Sequence, residues 1–386
     1  MNKPTTRKIK VLIIAKSVDG GTGTFLLNLL AENNKFTKSD FKIKILVLEK
    51  PNYRLLKKIK SDIFLLNNTY PKYYRFTYKN ILRFYDEIVW VRKKISSFGP
   101  EIILSIDIHS NILAILSKII WFRRLKIIAT THIDLLSTLL DKSSVFMKTL
   151  LIYSVKIFYD RADILVGVSN GVSRNLKRNF RLKKKVITIY NGVNIPLLHS
   201  KIDLRVKNKI IITVTRLDKQ KDVKNLINAF YLLQKQLLGV KLWILGDGPE
   251  RNELELLVEK YQLKGKVLFF GWINNIDKYL LRAGLFVLSS KREGLPYSLL
   301  EAMKFGLPIV STNSPYGPKE ILDKGKYGIL VPVKRPDIMH KSIYLLLTDR
   351  KKYIYYSNRS RERSRYFSIN KTIEEYNNLF ITLSKK

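Results

Sequence analysis

The sequence predicts an α/β protein made of two doubly wound, Rossmann-like domains. Short β-branched apolar runs alternate with longer amphipathic stretches along most of its 386 residues. Most runs are continuously apolar, as in parallel strands covered on both faces by helices. The rhythm breaks once, near residues 195–207, and then restarts with a new strand–loop–helix unit. Alternation of this kind builds open parallel sheets flanked by helices.

In the first domain, expected over residues 1–200, the strand candidates are Val11–Ala15, Ile43–Leu48, Ile63–Leu66, Ile102–Ile106, Ile127–Thr130, Ile164–Val168 and Val186–Ile189. The polar, unpatterned stretch IPLLHSKIDLRVK then marks the division. In the second domain, expected over 201–365, the candidates are Ile210–Val214, Val240–Leu245, Val267–Phe270, Leu285–Leu288, Pro308–Ser311 and Ile329–Val331. Residues 366–386 read as a helix with no strand to follow.

At 46% hydrophobic and 26% charged, the composition is that of a folded chain. With no cysteine, disulfides, thiolate metal sites and a cysteine nucleophile are excluded. The apolar run near the N-terminus is cut off by Lys16 and is too short for a secretion signal. No stretch approaches the roughly 20 apolar residues that span a bilayer. The expectation is a cytoplasmic protein, soluble or peripheral on the inner face of the membrane. The formal net charge of +40 is spread over both halves. Such a field favours anionic partners, whether phosphorylated substrates, acidic lipid or nucleic acid. A solvated lysine-rich surface reflecting an A/T-rich genome is the competing reading.

In open α/β sheets, ligands sit outside the carboxyl ends of the strands, so the loops after strands are the places to look. The first runs from Lys16 through Gly20, Gly21 and Gly23 to a helix over Phe25–Leu30. Glycines and a helix N-terminus suit an anion, but a tight strand-to-helix turn explains them equally simply. Only Glu49 stands near where a ribose-binding acid would follow the second strand. After Ile210–Val214 come Arg216 and Lys221, two cations suited to a diphosphate, or else a solvated basic loop. Gly246-Asp-Gly248-Pro249-Glu250 reads as turn chemistry, with Pro249 opening the next helix. In the loop Ser289–Pro296, Glu293 leaves a strand, and Glu301 lies in the following helix beside the apolar stripe Leu299, Leu300 and Met303. A carboxylate placed there needs a partner, such as vicinal hydroxyls or a cation. Tyr316-Gly317-Pro318 opens another helix after a strand. His132, one of only four histidines, follows Ile127–Thr130 with Asp134 nearby. It fits either a substrate hydroxyl or a capping role. No Asp-x-Asp pair and no metal-ligand spacing is present.

Taken together, these residues resemble the family 4 retaining glycosyltransferases of GT-B fold over nearly the whole chain. The resemblance rests on the Gly-Gly loop, the Thr-His loop, Val168-Ser169-Asn170, Asn191-Gly192-Val193-Asn194, Arg216-Leu217 with Lys221-Asp222, Gly246-x-Gly248-Pro249, and Glu293-x7-Glu301. Gly317-Pro-Lys-Glu-Ile-Leu322 is similar to a subset using UDP-hexoses or UDP-N-acetylhexosamines.

The resemblance implies two domains facing each other across a cleft, with the C-terminal helix crossing back to the N-terminal, acceptor-binding one. It implies that Arg216 and Lys221 bind the donor diphosphate, that Glu301 holds the ribose and that Glu293 holds the transferred sugar. Gly294 and Leu295 then lie near sugar or phosphate, Gly271 and Trp272 face the base, Gly20 and Gly21 approach the phosphates, and His132 contacts the sugar. The catalytic set is Glu293, His132, Arg216 and Lys221, with no metal or other cofactor. The expected acceptor is a sugar or a polyprenyl-diphosphate-linked glycan of lipopolysaccharide or capsule synthesis. Basic, aromatic segments at Tyr53–Lys60, Lys72–Ile95 and Lys118–Lys126 suit an anionic membrane surface or ordinary helix packing. The rival readings are a nucleotide-sugar epimerase of the same fold and a basic nucleic-acid-binding protein. The second has only charge in its favour, and no specific nucleic acid is expected.

Overall fold

The computed structural model describes residues 7–18, 20–31, 40–49, 63–66, 78–133, 135, 145–195 and 209–385. Tyr53–Lys60, Asp134 and the expected division at residue 200 lie outside them, as does the start of Lys72–Ile95. The chain forms two compact units: residues 1–192 with 369–386, and residues 193–368.

Among the described residues the first unit holds seven parallel strands: β1 (Ile9–Ala15), β2 (Phe41–Val47), β3 (Ile63–Leu65), β4 (Ile102–Ile106), β5 (Lys126–Thr131), β6 (Ile164–Gly167) and β7 (Val186–Thr188). Their order is β3-β2-β1-β4-β5-β6-β7. Val11 to Ala15 and the apolar residues of β4 are fully buried, as strands covered on both faces must be. The helices are α1 (Gly20–Ala31), α2 (Tyr78–Phe98), α3 (Ile108–Ile120), α4 (Val145–Tyr159) and α5 (Asn170–Asn179). Ser169 caps α5, its hydroxyl accepting from Val172 N at 3.2 Å.

The second unit holds β8 (Ile210–Val214), β9 (Lys241–Leu245), β10 (Val267–Gly271), β11 (Leu285–Leu288), β12 (Ile309–Thr312) and β13 (Ile329–Val331). All are parallel, in the order β10-β9-β8-β11-β12-β13. Its helices are α6 (Val223–Gln234), α7 (Arg251–Lys260), α8 (Asp277–Leu280), α9 (Tyr297–Lys304), α10 (Gly317–Ile321), α11 (Pro336–Thr348) and α12 (Arg350–Ser364). One apolar core joins α6 and α11 to the sheet through Leu226, Phe230, Leu242, Val287, Met339 and Ile343.

The last helix, α13 (Ile369–Ser384), belongs to the first unit. Ile369, Ile373, Tyr376, Phe380 and Leu383 form its buried stripe. Tyr376 lies against Phe25 of α1, and Phe380 against Phe41 of β2. The two chain crossings run side by side: Val193 N donates to Phe367 O at 2.9 Å, and Val193 bridges Ser368.

Candidate functional site

In each sheet the strand order reverses once, and ligands of open α/β sheets bind at that reversal. In the second unit it falls between β8 and β11, whose following loops are 215–222 and 289–296. The two loops are joined along their length. Lys291 N donates to Gln220 O at 2.8 Å, Gln220 Nε2 to Arg292 O at 3.0 Å and Ser289 Oγ to Lys221 O at 2.8 Å. This joining brings Lys221 Nζ to 2.7 Å from Glu293 Oε1. The Glu293 side chain is 7% exposed and that of Lys221 21%, so the pair is largely desolvated and each charge needs the other. Asp218 shapes the turn by accepting from the backbone N of Gln220 and Lys221. Arg216 is placed differently from Lys221. Its side chain is 65% exposed, and its guanidinium pairs with Asp218.

Gly246 and Gly248 correct the reading of their loop as turn chemistry. A Cβ on Gly246 would lie 1.8 Å from Thr215 O, and one on Gly248 2.3 Å from Leu217 O. Leu217 N donates to Asp247 O at 3.0 Å, and Glu250 N to Leu217 O at 3.0 Å. These glycines let the third loop lie directly against the Arg216 loop. Pro249 sits in the turn ahead of α7 and does not open the helix. Gly271 ends β10 with φ +67°, and Trp272 is 52% exposed beyond it.

Gly317 completes the Glu293 turn. Its missing Cβ would meet Gly294 O and Pro296 Cδ at 2.7 Å and Leu295 Cα at 3.0 Å. Tyr316, at φ +73°, bridges Glu293. Arg363 of α12 donates to Ile321 O at 2.9 Å and Glu320 O at 3.1 Å, so it holds the C-terminal end of α10. Its guanidinium also lies within 4.5 to 5.2 Å of the ring centroids of Tyr327, Tyr366 and Phe367.

Glu301 projects from α9, where Leu299, Leu300, Ala302 and Met303 are fully buried. Burial pushes its pKa up to about 7, Lys304 working against this and Asp277 with it. Lys304 is itself committed to Asp277, at 3.0 Å. A carboxylate so placed gains from ligand hydroxyls that donate to it.

In the first unit the reversal falls between β1 and β4. Helix α1 begins at Gly20, five residues earlier than the sequence predicts, so Gly20 and Gly21 form its first turn. The tightest glycine there is Gly23, whose Cβ would stand 1.7 Å from Val18 O. At the end of β4, Asp107 adopts φ +84° and ties the two loops, accepting from Lys16 N and Ser110 N at 3.0 Å. Burial raises its pKa despite those bonds. Beside it, Glu87 is fully buried between Arg83 Nε at 2.9 Å and His109 Nε2 at 2.6 Å. Burial works to raise the Glu87 carboxyl, but its two partners outweigh that and hold it below its usual range. Sequence reasoning passed over Asp107 and Glu87. The helix-capping pattern Asp107-x-x-Ser110 directly after a strand was the available signal for the first.

His132 directly follows β5 with both ring nitrogens occupied: Nε2 lies 3.1 Å from Thr130 Oγ1 and Nδ1 3.3 Å from Asn191 Nδ2. Phe25 meets its ring edge-on at 5.1 Å. Burial pushes its pKa down to about 4, so the imidazole is neutral at physiological pH. Among the described residues, no group of three or more His, Asp or Glu side chains could hold a metal ion.

Two family profiles match the chain in tandem: Glycosyltransferase Family 4 over residues 20–196 and Glycosyl transferases group 1 over residues 194–363. The chain belongs to this glycosyltransferase family, and its fold is GT-B. It is 31% identical over 218 residues to a Campylobacter jejuni enzyme, N-acetylgalactosamine-N,N'-diacetylbacillosaminyl-diphospho-undecaprenol 4-alpha-N-acetylgalactosaminyltransferase. That match covers 56% of this chain and 59% of the relative. It is 28% identical over 201 residues to the lipopolysaccharide core biosynthesis glycosyltransferase LpsE of Rhizobium meliloti, covering 51% and 58% of the two chains. The chain thus spans little more than half the length of these curated relatives. Among solved structures it superposes on HepE of Anabaena, crystallised with UDP and glucose, with a TM-score of 0.77 at 16% identity, covering 97% of this chain and 100% of that one. Sucrose-phosphate synthase of Thermosynechococcus elongatus gives a TM-score of 0.80 at 18% identity, covering 97% and 99%.

Proposed function

We propose that this protein is a retaining glycosyltransferase. It would move a hexose or N-acetylhexosamine from a nucleotide sugar, UDP-linked, to a lipid-linked or surface-polysaccharide acceptor. The observation that carries this is the Lys221–Glu293 pair at the β8/β11 reversal, with Arg216 and Glu301 on the adjoining loop and helix. Cations, an accepting carboxylate and a second carboxylate suited to hydroxyls are what a pyrophosphate-linked sugar requires. The curated relatives named above act on an undecaprenyl-diphosphate glycan and in lipopolysaccharide core synthesis.

In this reading Arg216 and Lys221 stabilise the charge that develops on the leaving diphosphate, while the sugar passes through an oxocarbenium-like state. The acceptor attacks from the face the diphosphate leaves, and a phosphate oxygen takes the acceptor's proton. Glu293 and backbone groups of Gly294 and Leu295 hold the sugar, Glu301 the ribose hydroxyls, and Gly271 and Trp272 the base. Gly20 and Gly21 serve the phosphates, and His132, as a neutral ring, the sugar. The positive charge of Arg216 and Lys221 takes the place of a metal ion. Activity that is lost in EDTA and restored by magnesium would contradict that. A panel of UDP, GDP and ADP sugars, read by thermal shift, tests the donor, because a true donor stabilises the folded state. Product analysis with donor alone separates transfer from epimerisation.

Among the described residues, no helix is long and apolar enough to cross a membrane. A peripheral contact is supported in the first unit by Ile119, Ile120, Tyr153 and Ile157, all 40 to 60% exposed on α3 and α4. Exposed Arg123 and Arg124 follow α3, and Trp121 lies under Arg92. Exposed apolar groups beside arginines suit an anionic bilayer surface. Flotation with anionic but not neutral liposomes is the expected result, and no lipid-dependent binding at moderate salt would remove the membrane from the reading.

A further inference from the structure

Hydrogen bonds tie the first chain crossing back into its own unit. Asn28 Nδ2 donates to Gly192 O at 3.2 Å, Thr372 Oγ1 to Tyr190 O at 2.7 Å and Asn191 Nδ2 to His132 Nδ1 at 3.3 Å. Asn191 is 2% exposed, so this geometry is held by packing. It stands two residues before Val193, which is bonded to Phe367 at the second crossing.

The proton arrangement follows from the neighbours. Thr130 Oγ1 donates to Ser105 O at 3.0 Å. A hydroxyl has one hydrogen, so toward His132 it can only accept. His132 Nε2 therefore carries the hydrogen of the neutral ring, and Nδ1 presents its lone pair. The Asn191 amide NH2 faces that lone pair, and the edge-on Phe25 ring fixes the ring plane.

We infer that Asn191 is the positioning residue for His132, fixing the orientation and Nε2–H tautomer of the imidazole and tying both to the chain crossing. A displacement of residue 191 along the crossing reaches the imidazole through a single hydrogen bond. The consequence for turnover rests on the reading of His132 as a sugar contact; the structural assignment does not.

The two are separable by experiment on the full-length protein. With ¹⁵N-labelled histidine the protein gives four imidazole spin systems, and His132→Gln assigns one of them. In the unsubstituted protein that ring is expected to be neutral with hydrogen on Nε2. Asn191→Asp is isosteric and places a carboxylate at Nδ1, so with Thr130 still accepting from Nε2 a second hydrogen is expected on Nδ1, making the ring an imidazolium. Asn191→Ala removes the donor, and the two tautomers are expected to mix. Wild-type ring signals in both variants would overturn the inference. In parallel, turnover of UDP-N-acetylgalactosamine is expected to fall about tenfold or more, with thermal stabilisation by UDP unchanged. Altered ring signals with full turnover would uphold Asn191 as the positioning residue and remove His132 from the sugar site.

Discussion

Lys221 and Glu293, 72 positions apart, meet at 2.7 Å because the loops after β8 and β11 are bonded backbone to backbone. Each is the other's counter-ion, so stability and activity are coupled at this point. Replacing Lys221 with Ala leaves a buried, uncompensated carboxylate, a change that typically costs about 3–5 kcal/mol. Glu293→Gln keeps the shape, leaves the cation partly hydrated and is expected to cost less. Denaturant unfolding should rank Lys221→Ala below Glu293→Gln in stability. Transfer should fall about 10²- to 10³-fold in the Lys221 variant. Equal stability of the two would show that the pair is not desolvated as described.

Glu301 predicts a pH dependence of defined sign. Its folded-state pKa, about 7, stands above the ordinary carboxyl value. The folded state therefore holds a proton that the unfolded chain has released, and stability falls as pH rises from about 4.5 to 7. Donor affinity should move the opposite way, because hydroxyls donate best to the ionised carboxylate. The diphosphate diester of a nucleotide sugar does not titrate in this window. Calorimetric affinity for a UDP-sugar should rise through pH 7 and level off by about pH 8. Glu301→Gln should flatten that profile and gain about 1–2 kcal/mol of stability at pH 8. An unchanged profile in the variant would assign the titration elsewhere.

The glycine contacts give a graded comparison. Gly246→Ala drives a Cβ to within 1.8 Å of Thr215 O, at φ +137°. The backbone penalty and the overpacking together should cost about 3 kcal/mol. Gly239 has φ +77° with nothing within 4 Å of its would-be Cβ, so Gly239→Ala should cost about 1 kcal/mol. Urea midpoints of the two variants measure the difference, which is the contribution of the loop contact.

Arg363→Ala removes the donor from two carbonyls at the end of α10 and the cation from three rings. A loss of about 2 kcal/mol is expected. Because Gly317 of α10 lies against Gly294, amide exchange should quicken over residues 316–322 and also over 293–296. Faster exchange confined to the first stretch would show that α10 does not support the Glu293 turn.

The strands of the described residues were legible in the sequence because buried parallel strands write themselves as unbroken apolar runs, and each of the runs named there became a strand. Glu301 was legible for a related reason, as a charge beside the stripe Leu299, Leu300 and Met303. What sequence could not show was contact between distant loops. Gly246 and Gly248 read as turn formers because their neighbours in space, Thr215 and Leu217, lie some thirty residues away. Helix α1 begins five residues early because Gly23 packs on Val18, a fit that no periodicity expresses. Arg363 is one arginine among many in a basic helix until the carbonyls it holds are seen.

Helix α13 carries one more consequence. Tyr376 and Phe380 complete the apolar interior around Phe25 and Phe41, yet they are synthesised only after residues 193–368. During translation, residues 193–368 emerge as a finished body while the portion made first still lacks its closing helix. Residues 1–192 are thus closed by a helix made after the whole of 193–368, and truncation after residue 368 should unsettle that first unit rather than the second.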